Sequence, residues 1–79
     1  MEKDTLQTIP VQIKAQLIIE KIQLWSNTLY AYTIDLRVAK RTGDKGLEDR
    51  ATKGIRDCET ALLELEEIQK ELNAEDKGK

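Results

Sequence analysis

Residues 11–39, VQIKAQLIIEKIQLWSNTLYAYTIDLRVA, decide the fold of this 79-residue chain. Apolar residues recur in this stretch at alternating intervals of four and three: Val11, Ala15, Ile18, Ile22, Trp25, Leu29, Tyr32, Leu36 and Ala39. This spacing places them on one side of an α-helix and is typical of coiled coils and helical bundles. It predicts a first helix over residues 10–41, with Pro10 in its first turn and Thr8 or Ile9 as its N-cap.

A second amphipathic helix follows a short turn. Residues 42–46, TGDKG, form the predicted turn, in which Gly43 stops the first helix and Asp44 caps the second. The second helix is predicted over residues 47–73. Its apolar face consists of Leu47, Ala51, Ile55, Cys58, Leu62, Leu65, Ile68 and Leu72. Two helices of matched length joined by a short turn predict an all-α fold, an antiparallel helical hairpin.

The hairpin accounts for one domain, residues 10–74. Residues 1–9 show no clear period and are predicted to be a lead-in segment, and residues 75–79 a frayed tail. The two apolar faces meet along a line that we call the seam, and the predicted core of the hairpin lies there. It consists of Ile18, Ile22, Trp25, Leu29, Tyr32, Leu36, Ile55, Cys58, Leu62 and Leu65. Gly54, within the second helix, either weakens that helix by about 1 kcal/mol relative to alanine or permits a close helix approach.

The composition excludes several classes of protein. One cysteine and no histidine rule out an intrachain disulfide, the usual zinc spacings and catalysis by Ser/His or Cys/His pairs. No stretch approaches the roughly 18 apolar residues of a membrane span, and the polar N-terminus is unlike a signal peptide. We therefore expect a cytoplasmic protein outside the membrane, with no cofactor and no enzymatic activity.

The first helix carries a second set of apolar residues away from the seam. This set, which we call the outer stripe, is interrupted by Glu20 and Asn27 and consists of Ile13, Leu17, Leu24, Ala31, Ile34 and Val38. One partner helix covers one side of a helix, not two. The simplest enclosure pairs this helix with its counterpart in a second copy, giving a dimeric four-helix bundle or a higher helical oligomer. The alternatives are a monomer with an exposed apolar patch and a complex in which a different protein covers the outer stripe.

Charge is segregated along the hairpin. Residues 37–56 contain seven basic and three acidic residues, whereas residues 57–76 contain eight acidic residues and one lysine. The turn end is therefore basic and the open end acidic. Arg41, Lys45 and Arg50 form a candidate anion site beside the first amide groups of the second helix. The alternative is a solvated surface, on which Lys45 pairs with Asp49, and Lys53 pairs with Asp49 or Asp57.

For the other residues considered as chemical groups, a structural role is favoured over a catalytic or metal-binding one. Glu64 and Glu67 form the E-x-x-E step that all-helical nucleotide pyrophosphohydrolases use to bind magnesium, but the first helix lacks the second acidic pair. Trp25 and Tyr32 fall on the seam, as does Cys58, which has no histidine to activate it.

We therefore expect a non-enzymatic, self-associating helical protein that binds another macromolecule. The alternative is a small adaptor that binds nucleotide or RNA phosphate at the basic tip.

Overall fold

Two long helices make up the described part of the chain. The computed structural model describes residues 9–77, with side chains as far as residue 74. Helix α1 spans Val11–Thr42 and helix α2 spans Lys45–Lys77. They fold back on each other as a hairpin, and residues 9–77 contain no strand, which confirms the predicted all-α hairpin. Most of the expected lead-in, residues 1–8, lies outside the described residues.

Helix α1 begins one residue later than predicted. Pro10 is the N-cap itself, with an extended backbone at φ −62° and ψ 152°. Its carbonyl accepts hydrogen bonds from the amides of Ile13 at 3.1 Å and Lys14 at 3.0 Å. The prediction that Pro10 lies inside the first turn is therefore wrong, because its ψ has not yet turned helical. No side chain caps this end of the helix.

The turn consists of two residues rather than five. Gly43 adopts the left-handed conformation, with φ 74°, and the amide of Asp44 donates to the carbonyl of Ala39 at 3.0 Å. The Asp44 Oδ1 atom accepts the amide hydrogen of Leu47 at 3.0 Å. Gly43 as the helix stop and Asp44 as the cap are thereby confirmed. Because Asp44 is the N-cap, the helix begins at the next residue, and α2 starts at Lys45 instead of residue 47.

Helix α2 also extends further than predicted. It continues to Lys77, whereas we expected the helix to end at residue 73 and the tail to fray. Residues 74–77 include alanine, glutamate and lysine, which are strong helix formers, and contain neither glycine nor proline. Nothing in this segment therefore stops the helix. Residues 78 and 79 lie outside the described part.

Small side chains fill the helix interface near the turn. Ala39 and Ala51 are completely buried, and Gly54 is buried as well. A Cβ atom built on Gly54 would lie only 2.5 Å from Cε2 and Cζ of Tyr32, so the tyrosine ring occupies the space that a side chain would take. Of the two roles considered for Gly54, the structure shows the close approach.

Threonine hydroxyls on both helices are bonded to their own backbone. In α1, the Thr28 and Thr33 hydroxyls each donate to the carbonyl four residues earlier at 2.9 Å. Thr42, Thr52 and Thr60 do the same. Helix interiors commonly satisfy threonine in this way. These residues therefore add polarity to the sequence without adding unpaired donors to the surface.

Neither of the two described helices contains an apolar stretch of the length that a membrane crossing requires.

Candidate interaction surface

The outer stripe is exposed along the whole of α1. Its large members are about half exposed: Ile13 50%, Leu17 47%, Leu24 56%, Ile34 46% and Val38 47%. Ala31 is exposed too. Helix α2 packs against the seam and leaves this side of α1 open. The residues assigned to an oligomer interface are thus available for contact.

The residues assigned to the hairpin core are all at least half-buried, but few are enclosed. Ile18 and Cys58 are buried, at 8% and 1% exposure. The others are half-buried: Ile22, Trp25, Leu29, Tyr32, Leu36, Ile55, Leu62 and Leu65. A single partner helix covers only a strip of its neighbour, so residues on the flanks of the seam keep contact with solvent. The core of one hairpin is consequently thin.

One groove runs between the helices on the side of the outer stripe. We call it the first groove; it has a volume of 380 Å³ and is lined by Leu24, Trp25, Thr28, Tyr32, Gly54, Asp57 and Cys58. A neighbouring depression, nearer the turn, shares Tyr32, Gly54 and Asp57 with it and adds Arg50 and Lys53. Leu24 of the outer stripe and these two basic residues therefore belong to the same face of the hairpin.

A second, larger groove lies on the opposite face. It has a volume of 620 Å³ and is lined by Ile22, Glu59, Leu62, Leu63, Glu66 and Gln69. Asp57 lines the first groove and Glu59 lines the second. The two residues are about 200° apart around α2, so the two grooves lie on opposite sides of the hairpin. Leu63 is 62% exposed and Ile19 47% exposed. Neither was singled out from the sequence. The sequence signal that could have identified them is the pair of apolar doublets at 18–19 and 62–63. Adjacent residues of a helix cannot both face one partner helix, so one member of each doublet must lie outside the seam.

The three residues of the candidate anion site are exposed but do not converge on a single recess. Arg41 lines a shallow recess of 430 Å³ together with Arg37 and Lys40. Arg50 instead lines the depression beside the first groove. The Lys45 Nζ atom lies 3.9 Å from Glu48, not beside Asp49 as predicted. Neither of these two recesses is lined by more than one of the three residues.

The other charged residues considered for chemistry lie on the exposed surface of α2. Lys53 Nζ lies 2.9 Å from the Asp57 carboxylate, which confirms one of the two pairings predicted for this lysine. Glu64 and Glu67 are exposed. Across the described residues, no group of three or more carboxylates and cysteines is arranged to hold a metal ion.

The Cys58 thiol is free and enclosed by the two helices. Burial raises its pKa, and the neighbouring carboxylates of Asp57 and Glu59 raise it further. The thiol is therefore protonated at neutral pH, and the thiolate is the form that acts as a nucleophile.

Among the aromatic residues, Trp25 and Tyr32 are half-buried at the first groove, whereas Tyr30 is 67% exposed.

No protein-family model, curated protein sequence or solved structure significantly matches this chain.

Proposed function

We propose that this chain is a non-enzymatic helical module that associates with a second copy through the outer stripe of α1 and presents the assembled surface to another macromolecule. The observation that supports the proposal is the half exposure of five large aliphatic side chains along one helix. A row of this length is unusual on a soluble monomer, where the largest apolar patches are often interaction sites. The proposed assembly is a dimeric four-helix bundle.

The magnitude of the apolar burial is consistent with reversible association. Complete burial of an aliphatic side chain contributes about 1.5–3 kcal/mol, so covering its exposed half contributes about 1 kcal/mol. Five such residues on each of two copies contribute about 10 kcal/mol. This is comparable to the roughly 4–15 kcal/mol that association costs in lost translational and rotational freedom. We therefore expect an oligomer whose population depends on protein concentration.

Substitution of one stripe residue tests the proposed interface. Leu24→Glu places a charge at the most exposed large residue of the stripe; we expect it to shift the mass measured by light scattering toward that of a 9.0 kDa monomer. Ser26→Glu is the matched control, since Ser26 is exposed and lies about 200° around α1 from Leu24. If both variants retained the wild-type mass at every concentration, the stripe would not be an interface.

A second candidate function rests on the recess at the turn end. Arg37, Lys40 and Arg41 line it, and none of them forms an ion pair with another described residue. Such a cluster can attract the phosphates of a nucleotide or an RNA. Binding of a fluorescent RNA oligonucleotide should weaken with salt and with Arg41→Gln. Binding that was insensitive to both would exclude this role.

A further inference from the structure

Charged residues flank the outer stripe in an ordered row on α2. Arg50, Asp57, Glu64 and Glu71 follow each other at intervals of seven, a spacing that keeps residues on one side of a helix. Arg50 and Asp57 both line the depression beside the first groove, so the row lies on the face that carries Leu24. At the turn end, Arg50 lies beside the Lys53–Asp57 ion pair, and Asp35 of α1 lines the same depression. The open end of the row carries Glu64 and Glu71.

We infer that the second copy docks on this face in the antiparallel orientation, so that the basic turn end of each hairpin lies against the acidic open end of the other. The inference rests on the proposed self-association and specifies its geometry. The outer stripe extends from Ile13 to Val38, and its midpoint lies close to Trp25. An antiparallel dimer that buries the whole stripe therefore has its two-fold axis near this level.

The register of the hairpin sets which charges meet. Because Tyr32 lies against Gly54, the level of Trp25 on α1 corresponds to that of Thr60 and Ala61 on α2. A two-fold axis at this level brings Arg50 of one copy close to Glu71 of the other. Lys53, which is paired with Asp57 of its own helix, lies opposite the segment between Glu64 and Glu71. All of these charges are exposed.

The parallel arrangement is disfavoured by the same charges. It would place both turn ends together and bring Arg50 and Lys53 of each copy toward the basic turn end of the other, while the glutamates gathered at the opposite end. Like charges in proximity disfavour an interface and select against that orientation. Both arrangements bury the outer stripe, so charge complementarity decides between them.

Distances between spin labels on the two copies test the orientation. In a Cys58→Ala background, Lys45→Cys carries a nitroxide at the turn end, and Thr60→Cys carries one near the proposed two-fold axis. Lys45 is 87% exposed, and Thr60 is exposed, so labels at these positions should leave the fold intact. Thermal melts that match the background variant would establish this.

In the antiparallel dimer, the Lys45 labels are separated by about 45 Å, which is twice the 15-residue rise between Lys45 and Thr60. The Thr60 labels should lie within about 30 Å, since packed helix axes are only about 10 Å apart. Distances under about 30 Å at both positions would overturn the antiparallel orientation while supporting self-association. The absence of dipolar coupling at both positions would overturn self-association itself.

Charge reversal provides a second test. Arg50→Glu with Lys53→Glu should raise the dissociation constant of the dimer about tenfold at low salt, and the difference should disappear near 1 M salt. Arg37→Glu with Arg56→Glu makes the same change in net charge at exposed positions outside the row. An equal effect from both double variants would overturn the proposed pairing of the row.

Discussion

Replacement of Gly54 by alanine should destabilise the hairpin, although alanine is the better helix former. The added Cβ atom would lie 2.5 Å from Cε2 and Cζ of Tyr32 and 2.6 Å from Cε1. Real Cβ atoms do not approach other atoms so closely, so the ring or the helix must shift. Tyr32 is half-buried and lines the first groove, and its displacement would disturb the packing around Cys58.

Two opposing effects determine the size of the change. Overpacking of a filled site costs about 1–3 kcal/mol, whereas removal of a glycine from a helix interior contributes up to about 1 kcal/mol. We expect a net loss of about 1 kcal/mol, which corresponds to a decrease in Tm of about 4–8 °C for a domain of this size. Replacement of the Tyr32 ring by leucine should remove most of the steric cost.

The assay is thermal unfolding followed by circular dichroism at one fixed protein concentration, because association makes Tm depend on concentration. Gly46→Ala is the matched control: Gly46 lies in the same helix, and its built Cβ meets nothing closer than 3.6 Å. We expect this control to raise Tm slightly. If Gly54→Ala raised Tm by the same amount, the close approach to Tyr32 would be refuted.

Three further predictions concern the stability of the hairpin at Gly43, Asp44 and Cys58, and the first two are tested by the same thermal unfolding. Gly43→Ala should cost about 1–2 kcal/mol because φ is 74° there; since a Cβ has open space, the cost is conformational, and an equal loss from Gly43→Asn would argue against this. Asp44→Ala should cost about 1 kcal/mol by removing the cap on the Leu47 amide, and Asp44→Ser should retain most of the stability. The raised pKa of Cys58 means that the folded state holds its thiol proton to higher pH than the unfolded state. Its contribution to stability is therefore complete below about pH 8.5 and is lost as the pH rises above that value. Urea unfolding at pH 7.5 and 9.5 should show a larger loss for the wild type than for Cys58→Ala, and identical losses would exclude the thiol as the cause.

The hairpin was predictable because its local signals agree. The alternating four-three spacing from Val11 to Ala39 identifies a helix. Gly43 and Asp44 each act through a backbone preference that does not depend on the rest of the fold. The exposure of the outer stripe was also foreseeable, since one helix cannot cover two sides of another. Signals that act within a few residues therefore determined most of the architecture.

The orientation of α2 about its axis was harder to predict. Its apolar spacing placed Ile68 on the interface, yet Ile68 is 37% exposed and Gln69 is half-buried instead. Gly54 turns toward α1 because its missing side chain accommodates the Tyr32 ring. A pattern based on hydrophobicity does not register a contact that depends on an absent side chain. The second groove, with Leu63 at its edge, was missed for a different reason, because the apolar doublets 18–19 and 62–63 were not recognised as a sign of a second apolar side.

The candidate anion site shows a different limit. Arg41, Lys45 and Arg50 are near each other in sequence, but the ends of two helices direct their side chains to separate surfaces. Net charge along a segment predicts the sign of the local potential. It does not predict which side chains converge, because convergence depends on how the helices are rotated about their axes.

The threonine hydroxyls of α1 affect how easily its surface gives up water. Thr28 lines the first groove, and its hydroxyl donates to the Leu24 carbonyl at 2.9 Å. A hydroxyl that depends on solvent for its hydrogen bond loses that bond when a partner displaces the water, and leaving a polar group unsatisfied costs about 1–3 kcal/mol. Here the donor keeps its bond whether the groove is wet or dry. The face of α1 that contains Thr28 can therefore be dehydrated at a lower cost than its count of polar residues implies.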